Sequence, residues 1–159
     1  SQGLSAIVLG TLLVTASIID IQTRLLPDCL LYPGIWLGVL INLQQIWTPM
    51  HLSVLGVILG YLIPWLLIQL GRLSHKKELM GYGDCKLIAL IGAWFGLPYL
   101  PGTLMIACVL ALLYRLLFIP FGGVQDKSFA FGPFLSLASL IVLQLTPNKL
   151  TSLVTQLLY

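Results

Sequence analysis

Two aspartates stand at places where an apolar chain does not ordinarily carry charge. Asp84 closes the stretch Gly81-Tyr82-Gly83-Asp84, at the point where a polar loop runs into an apolar segment. Asp20 closes the first long uncharged stretch. Taken alone, Asp84 is explained by helix capping, because an aspartate at a helix start accepts a backbone N–H and suits the positive end of the dipole. Asp20 taken alone is explained as a solvated helix end.

Together, the two aspartates could perform acid–base catalysis. Two carboxyl groups that share a site do not both ionise readily, so one keeps a proton while the other activates a water. Such a pair hydrolyses an amide without a metal ion. The helix dipole favours Asp84, at a helix N-terminus, as the base and Asp20, near a helix C-terminus, as the acid. We therefore predict that Asp20 and Asp84 form a catalytic pair that uses no metal and no cofactor.

The composition indicates a membrane protein. Of the 159 residues, 58% are hydrophobic and 8% are charged, whereas a soluble domain carries about 25% charged residues. Several uncharged stretches approach the roughly 20 residues that a helix needs to cross a bilayer, so the lipid bilayer is an expected partner. The net charge of +3 is small and concentrated in a few loops, which argues against a nucleic-acid partner. The three cysteines form no C-x-x-C pair and predict neither a zinc site nor a disulfide framework.

The predicted fold is all-α, a polytopic bundle of about six transmembrane helices in a single domain, 1–159. The spans are placed at about 4–19, 30–47, 52–70, 84–97, 102–119 and 129–145. An amphipathic C-terminal segment after Pro147 predicts a helix in the membrane interface. Glycines four residues apart predict close helix packing, in the pairs Gly34 and Gly38, Gly56 and Gly60, and Gly92 and Gly96.

The tryptophans and the basic residues predict how the helices are anchored and oriented in the bilayer. We expect the tryptophans to be lipid or interface anchors: Trp36, Trp47, Trp65 and Trp94. The loops after the first, third and fifth spans place seven basic residues on one side: Arg24, Arg72, Lys76, Lys77, Lys86, Arg115 and Lys127. The other side receives only Lys149. This bias predicts that the first side is cytoplasmic and the N-terminus outside, and both aspartates fall on the cytoplasmic side.

Three stretches together carry a family resemblance. They read D-I-Q-T-R-L-L-P-D from Asp20 to Asp28, M-G-Y-G-D-C-K-L from Met80 to Leu87, and F-A-F-G-P-F from Phe129 to Phe134. In these motifs and their order the chain resembles the bacterial type IV prepilin peptidases, a family of G-x-G-D aspartic membrane proteases. The resemblance covers nearly the whole chain.

The resemblance implies an aspartic endopeptidase that removes the short basic leader of prepilins and pseudopilins after a glycine. Cleavage is implied at the cytoplasmic face of the bacterial inner membrane, with Asp20 and Asp84 as the catalytic pair. The residues expected to shape the site without reacting are Gly81, Gly83, Lys86, Arg24, Pro27, Asp28, Gly132 and Pro133. Long family members carry an N-terminal domain with two C-x-x-C pairs, associated with N-methylation by S-adenosylmethionine. Because this chain lacks that cysteine pattern, we expect a short-form member, or a truncated long one, without methyltransferase activity.

Two other functions stay open. A presenilin-like intramembrane protease would also have a G-x-G-D site. Proteases of that class, however, do not have the L-P-D segment and are not as compact as this chain. A non-catalytic scaffold or assembly protein of a pilus or secretion system would use the aspartates only to cap helices.

Overall fold

The computed structural model describes residues 2–23, 25–73, 81–118 and 131–145. These residues form six α-helices and one short 3-10 helix at Leu97–Tyr99, with no strand among them, so the all-α prediction is confirmed. The helices are α1 Gln2–Thr23, α2 Asp28–Asn42, α3 Met50–Leu73, α4 Tyr82–Phe95, α5 Leu100–Phe118 and α6 Gly132–Leu145. Outside the described residues lie Arg24, most of the basic loop before Gly81, Phe129, Ala130 and the predicted C-terminal helix.

Three of the described helices are long and apolar enough to cross a membrane: Gln2–Thr23, Met50–Arg72 and Leu97–Leu117. The other three are shorter, with 15 residues in α2 and 14 each in α4 and α6. The second span, expected to reach residue 47, ends at Asn42. Beyond Asn42 the chain turns, and Gln45 takes a left-handed φ of 52°, a conformation that a helix interior does not allow.

The α4 helix lies at the centre of the bundle. Every residue from Asp84 to Phe95 except Lys86 is buried, against α2, α3, α5 and α6. The large apolar side chains that remain exposed lie mostly on α1, α2, α3 and α5, as expected for helices that face lipid. The helix that begins with the G-Y-G-D motif is therefore held on all sides by protein.

Small residues bring α3 and α4 into backbone contact, as the glycine spacing predicts. Gly56 and Gly92 face one another so closely that a Cβ atom on either would overlap the backbone of the other. Gly96 has a different role. It ends α4 with a φ of 80°, a value that glycine adopts without strain, and it packs against the side chain of Thr48.

The expectation that all tryptophans anchor the protein to lipid is wrong for Trp94. Its side chain is fully buried on α4, and its Nε1 donates a hydrogen bond to the Gly34 carbonyl at 2.9 Å. The ring fills the space that Gly38 leaves on α2. Trp47 is half-buried and donates to the Ser5 hydroxyl at 3.0 Å, whereas Trp36 is 67% exposed and fits the prediction.

A buried asparagine fixes the C-terminal end of α4, opposite to Asp84. Asn42 Nδ2 donates to the carbonyl oxygens of Ala93 at 2.8 Å and Trp94 at 3.0 Å. Its Oδ1 accepts the backbone N–H groups of Trp47 at 3.2 Å and Thr48 at 3.3 Å. One fully buried side chain thus hydrogen-bonds two carbonyls at a helix end, and the Ser53 hydroxyl donates a second hydrogen bond to the Ala93 carbonyl at 2.6 Å.

Candidate active site

Asp20 lies in the last turn of α1, facing the interior. The helix continues to Thr23, a turn beyond the predicted end of the span, and the Thr23 hydroxyl donates to the Ile19 carbonyl at 2.8 Å. Ile18 and Ile21 point outward, with 51% and 63% of their surface exposed, while Asp20 is only 6% exposed. The expectation of a solvated helix end is therefore wrong for this side chain.

The first residue of α6 closes over Asp20. A Cβ atom at Gly132 would overlap Asp20 Oδ2, so only a glycine lets the carboxyl lie directly against this backbone. Pro133 follows in the first helical turn, where its missing N–H costs no hydrogen bond. The Phe131 carbonyl accepts the N–H groups of Phe134 and Leu135, each at 3.1 Å. The F-G-P-F segment thus starts a helix and seats a carboxylate.

Asp84 is the third residue of α4. The residue before the helix is Gly81, with φ −77° and ψ 149°, and the Asp84 N–H donates to its carbonyl at 3.1 Å. The Asp84 carboxyl is turned back towards the Gly81 backbone N–H, as an acidic residue at this helix position commonly is. Asp84 is therefore not the N-cap residue, as helix capping alone would predict. The N-cap is Gly81, three residues earlier.

The two glycines of the motif do not take the left-handed conformation, since Gly96 is the one described glycine with positive φ. These glycines matter because they leave room for neighbouring side chains. A Cβ atom at Gly83 would come within 3.1 Å of the Leu26 side chain, which identifies Gly83 as the point where the loop before α2 packs on α4. At Gly81 the nearest atom would be Asp84 Oδ2, at 3.8 Å.

The fold brings the two aspartates together. Each is buried at the same end of the bundle, Asp20 where α1 ends and Asp84 where α4 begins. The two carboxyls are near enough for the charge of Asp20 to influence Asp84, and a Cβ atom on Gly132 would overlap Asp20 Oδ2. The prediction that two aspartates distant in sequence meet in the fold agrees with this arrangement. Two carboxyls so placed can share one proton and act on a water between them.

The L-P-D segment forms the start of α2 and is tied to α4. Pro27 precedes the helix, and its carbonyl accepts the N–H groups of Leu30 and Leu31 at 3.1 and 3.3 Å. Asp28 forms an ion pair with Lys86, two residues after Asp84. This contact holds the start of α2 against the first turns of α4.

Lys86 makes a second contact on α2. Its Nζ lies 5.3 Å from the centre of the Tyr32 ring, within the range of a cation–π interaction. Tyr32 follows Asp28 by four residues, so both partners lie on one face of α2. Leu26, Tyr32 and Ser136 were not predicted as site residues, although helical spacing from Asp28 points to Tyr32 and helical spacing from Gly132 points to Ser136.

The predicted site residues that the structure describes therefore fall into two groups. The first group consists of the carboxyl pair, Asp20 and Asp84, and the residues next to it, Gly81, Gly132 and Pro133. Those that join α2 to α4 are Gly83, Lys86, Pro27 and Asp28. Cys85 is buried next to Asp84, and its sulphur lies 3.9 Å from the Gly81 carbonyl. The described part of the chain holds no group of three metal-ligating side chains.

Comparison with known proteins gives this site its context. The Type IV leader peptidase family matches residues 7–116. The chain is 40% identical over 130 residues to a prepilin leader peptidase/N-methyltransferase of Pseudomonas putida, covering 81% of this chain and 45% of that protein. The Neisseria gonorrhoeae protein of the same name is 36% identical over 139 residues, covering 87% of this chain and 48% of its own length.

A third relative, from Klebsiella pneumoniae, bears the same name and is 44% identical over 104 residues, covering 65% of this chain and 46% of that protein. The chain thus spans about half the length of the curated relatives it matches. No solved structure matches it. Because the family match covers more than half of the chain and includes both aspartates, the chain belongs to the type IV leader peptidase family.

Proposed function

We propose that this chain is an aspartic endopeptidase that cleaves type IV prepilins or pseudopilins after the glycine that ends their leader. Asp20 and Asp84 are the catalytic pair. The observation that carries the proposal is the placement of both carboxyls, buried and near enough for the charge of one to influence the other, at one end of the bundle. The names of the relatives support the substrate class.

In the proposed reaction, the ionised carboxylate removes a proton from a water, and the resulting hydroxide attacks the carbonyl carbon of the scissile peptide. The protonated carboxyl gives its proton to the carbonyl oxygen, forming a tetrahedral diol. Collapse of the diol breaks the C–N bond, and the leaving amine takes up a proton from the pair. The assignment of Asp84 as base and Asp20 as acid stays a prediction from their helix positions.

The relatives are named for two activities, a peptidase and an N-methyltransferase, and we propose only the first for this chain. A pair of carboxylates provides acid–base chemistry on water, and it provides nothing that transfers a methyl group. The absence of methyltransferase activity from this chain therefore stays an expectation from the sequence.

We place the reaction at the cytoplasmic face of the bacterial inner membrane. The ends of α1, α3 and α5 and the starts of α2, α4 and α6 meet at the end of the bundle that carries the aspartates. The lysine and arginine side chains among the described residues all belong to this end: Arg72, Lys86 and Arg115. Arg72 extends over the ring of Tyr82, 5.1 Å from its centre. Basic residues collect on the cytoplasmic side of membrane proteins, so this charge distribution supports a cytoplasmic site.

One observation favours the non-catalytic scaffold. The Asp84 carboxyl faces the Gly81 N–H, and that contact alone would justify an acidic residue at this position of a helix. The same explanation does not extend to Asp20, because Asp20 lies in the last turn of a helix, where the dipole disfavours a negative charge.

The experiment that separates the two functions is a cleavage assay in liposomes with a chelator present. It compares the unmodified chain with Asp20→Asn and Asp84→Asn, using one prepilin with a basic leader as substrate. Each variant keeps the size of the side chain and removes its charge. Cleavage after the glycine that is lost in both variants supports the proposal. Cleavage retained in either variant, or no cleavage by a folded unmodified chain, contradicts it.

A further inference from the structure

Two buried oxygen atoms near the start of α6 have no hydrogen-bond partner among the described residues. One is Asp20 Oδ2, and the other is the hydroxyl of Ser136. Asp20 is 6% exposed and Ser136 is 1% exposed. Buried polar groups are nearly always paired, and an unpaired one lowers stability. Two such atoms in one region therefore point to a shared polar partner.

Ser136 is unusual among the serines and threonines of these helices. The other hydroxyls that face their own helix donate to a carbonyl three or four residues back: Ser5, Thr11, Thr15, Ser17, Thr23, Thr103 and Ser139. Ser139 is the closest comparison, since it is fully buried less than one turn further along α6 and donates to the Leu135 carbonyl at 2.7 Å. The Ser136 hydroxyl is thus left to interact outside its own helix.

The packing of α1 on α6 places Ser136 beside Asp20. Gly132 meets Asp20, and Leu140 lies 3.9 Å from the position of a Cβ atom on Gly10, so the two helices run antiparallel. Ser136 stands midway between these two contacts, one helical turn from each. It therefore faces α1 about one turn before Asp20.

The spacing fits one water molecule. A Cβ atom on Gly132 would overlap Asp20 Oδ2, and the Cβ atoms of residues four apart on a helix lie about 5–6 Å from each other. Ser136 therefore lies about one helical turn from the Asp20 carboxyl, a gap that one water can bridge with two hydrogen bonds of about 2.7–2.8 Å. We propose that a single buried water bridges Ser136 Oγ and Asp20 Oδ2, and that Ser136 is a positioning residue for the Asp20 carboxyl.

This inference rests on the proposed function, because the positioning matters for the reaction only if Asp20 is a catalytic carboxyl. The bridge holds Oδ2 on the α6 side. It also gives Oδ2 a hydrogen-bond partner in either protonation state, since water both donates and accepts.

The test compares Ser136→Ala with Ser139→Ala in the 159-residue chain, purified in detergent. Both variants remove one buried hydroxyl from the same helix, and only the first removes the bridge. Infrared spectra report the hydrogen bonding of the carboxyl bands that Asp20→Asn abolishes. Cleavage of a prepilin gives kcat and KM. We expect Ser136→Ala to shift the Asp20 band and to lower kcat about tenfold with KM unchanged. Ser139→Ala should change neither.

The two readouts separate failure of this inference from failure of the proposed function. An Asp20 band that is the same in Ser136→Ala as in the unmodified chain overturns the inference, even when Asp20→Asn abolishes cleavage. A shifted band in a chain that does not cleave prepilin supports the bridge and overturns the proposed function. If Ser136→Ala does not fold, an experimental structure of the unmodified chain decides. Density for a water within about 3 Å of both oxygens supports the bridge, and a direct contact between the two side chains overturns it.

Discussion

Replacing Gly132 by alanine should separate the activity of this protein from its stability. The added methyl group would overlap Asp20 Oδ2 and would come within 2.9 Å of Cγ and 3.4 Å of Cβ of the same residue. Because the overlapped atom is the end of a side chain and not backbone, the carboxyl can rotate away. An off-rotamer side chain costs about 0.5–1.5 kcal/mol, so the free energy of unfolding should fall by no more than that.

The effect on the reaction should be larger. A displacement of a reacting group by about 1 Å costs about 100-fold in rate, which corresponds to about 2.7 kcal/mol of transition-state stabilisation. We therefore expect kcat/KM for prepilin cleavage to fall about 100-fold in Gly132→Ala. The assay measures initial cleavage rates in liposomes, alongside thermal unfolding of the same preparation.

Gly10→Ala is the matched control, because Gly10 lies on the same contact between α1 and α6. Its nearest neighbour would be Leu140 Cδ2 at 3.9 Å, an ordinary contact. An alanine within a helix is favoured over glycine by about 0.8–1.0 kcal/mol, so this variant should be slightly more stable and fully active. Wild-type cleavage by Gly132→Ala would refute our account of the site, and so would a loss of stability as large as the loss of activity.

The remaining predictions concern the contacts that hold α4. Reversing the charge of Asp28 or Lys86 should lower cleavage up to about fivefold, because a partly exposed ion pair is worth about 0.2–1 kcal/mol, and the double reversal should restore part of the activity in the same assay. Asn42→Ala removes four buried hydrogen bonds and leaves the Trp94 carbonyl and two N–H groups without this partner, while the Ala93 carbonyl keeps its hydrogen bond from Ser53. It should lower the free energy of unfolding by about 2–4 kcal/mol, measured by denaturation in detergent.

Each of these predictions has its own control. For the ion pair, the control is the double reversal itself, and a double variant no better than the worse single one would show that the pair does not join α2 to α4. For Asn42, the control is Gln44→Ala, since Gln44 is exposed two residues later. Equal unfolding free energies for Asn42→Ala and Gln44→Ala would contradict the role of Asn42 at the end of α4.

The helical content and the placement of Asp20 and Asp84 at one end of the bundle were predictable, because both follow from the order and direction of successive apolar helices. Long uncharged stretches predict helices, and the alternation of their directions places the two aspartates on one side. The basic residues give the same grouping of loops independently. The apolar pattern and the charge distribution therefore predict the same side of the membrane for both aspartates.

What the sequence could not show depends on pairing between segments. Trp94 reads as an interface anchor, because its partner Gly34 lies on another helix and nothing local reveals the Nε1–carbonyl hydrogen bond. The second span reads as continuous to Trp47, because the residues after Asn42 stay largely apolar. Its early end depends on hydrogen bonds from Asn42 to α4. The close contact between the Gly132 backbone and the Asp20 carboxyl likewise joins residues from opposite ends of the described chain.

That last contact has a consequence for the synthesis of the protein. Chains enter the membrane from the N-terminus, so Asp20 is in place first, Asp84 joins it with α4, and Gly132 arrives only with the last helix that the structure describes. Until α6 packs on α1, the Asp20 carboxyl lacks its contact with the Gly132 backbone. If Asp20 is a catalytic carboxyl, as we propose, the site is assembled only after this helix has joined the bundle.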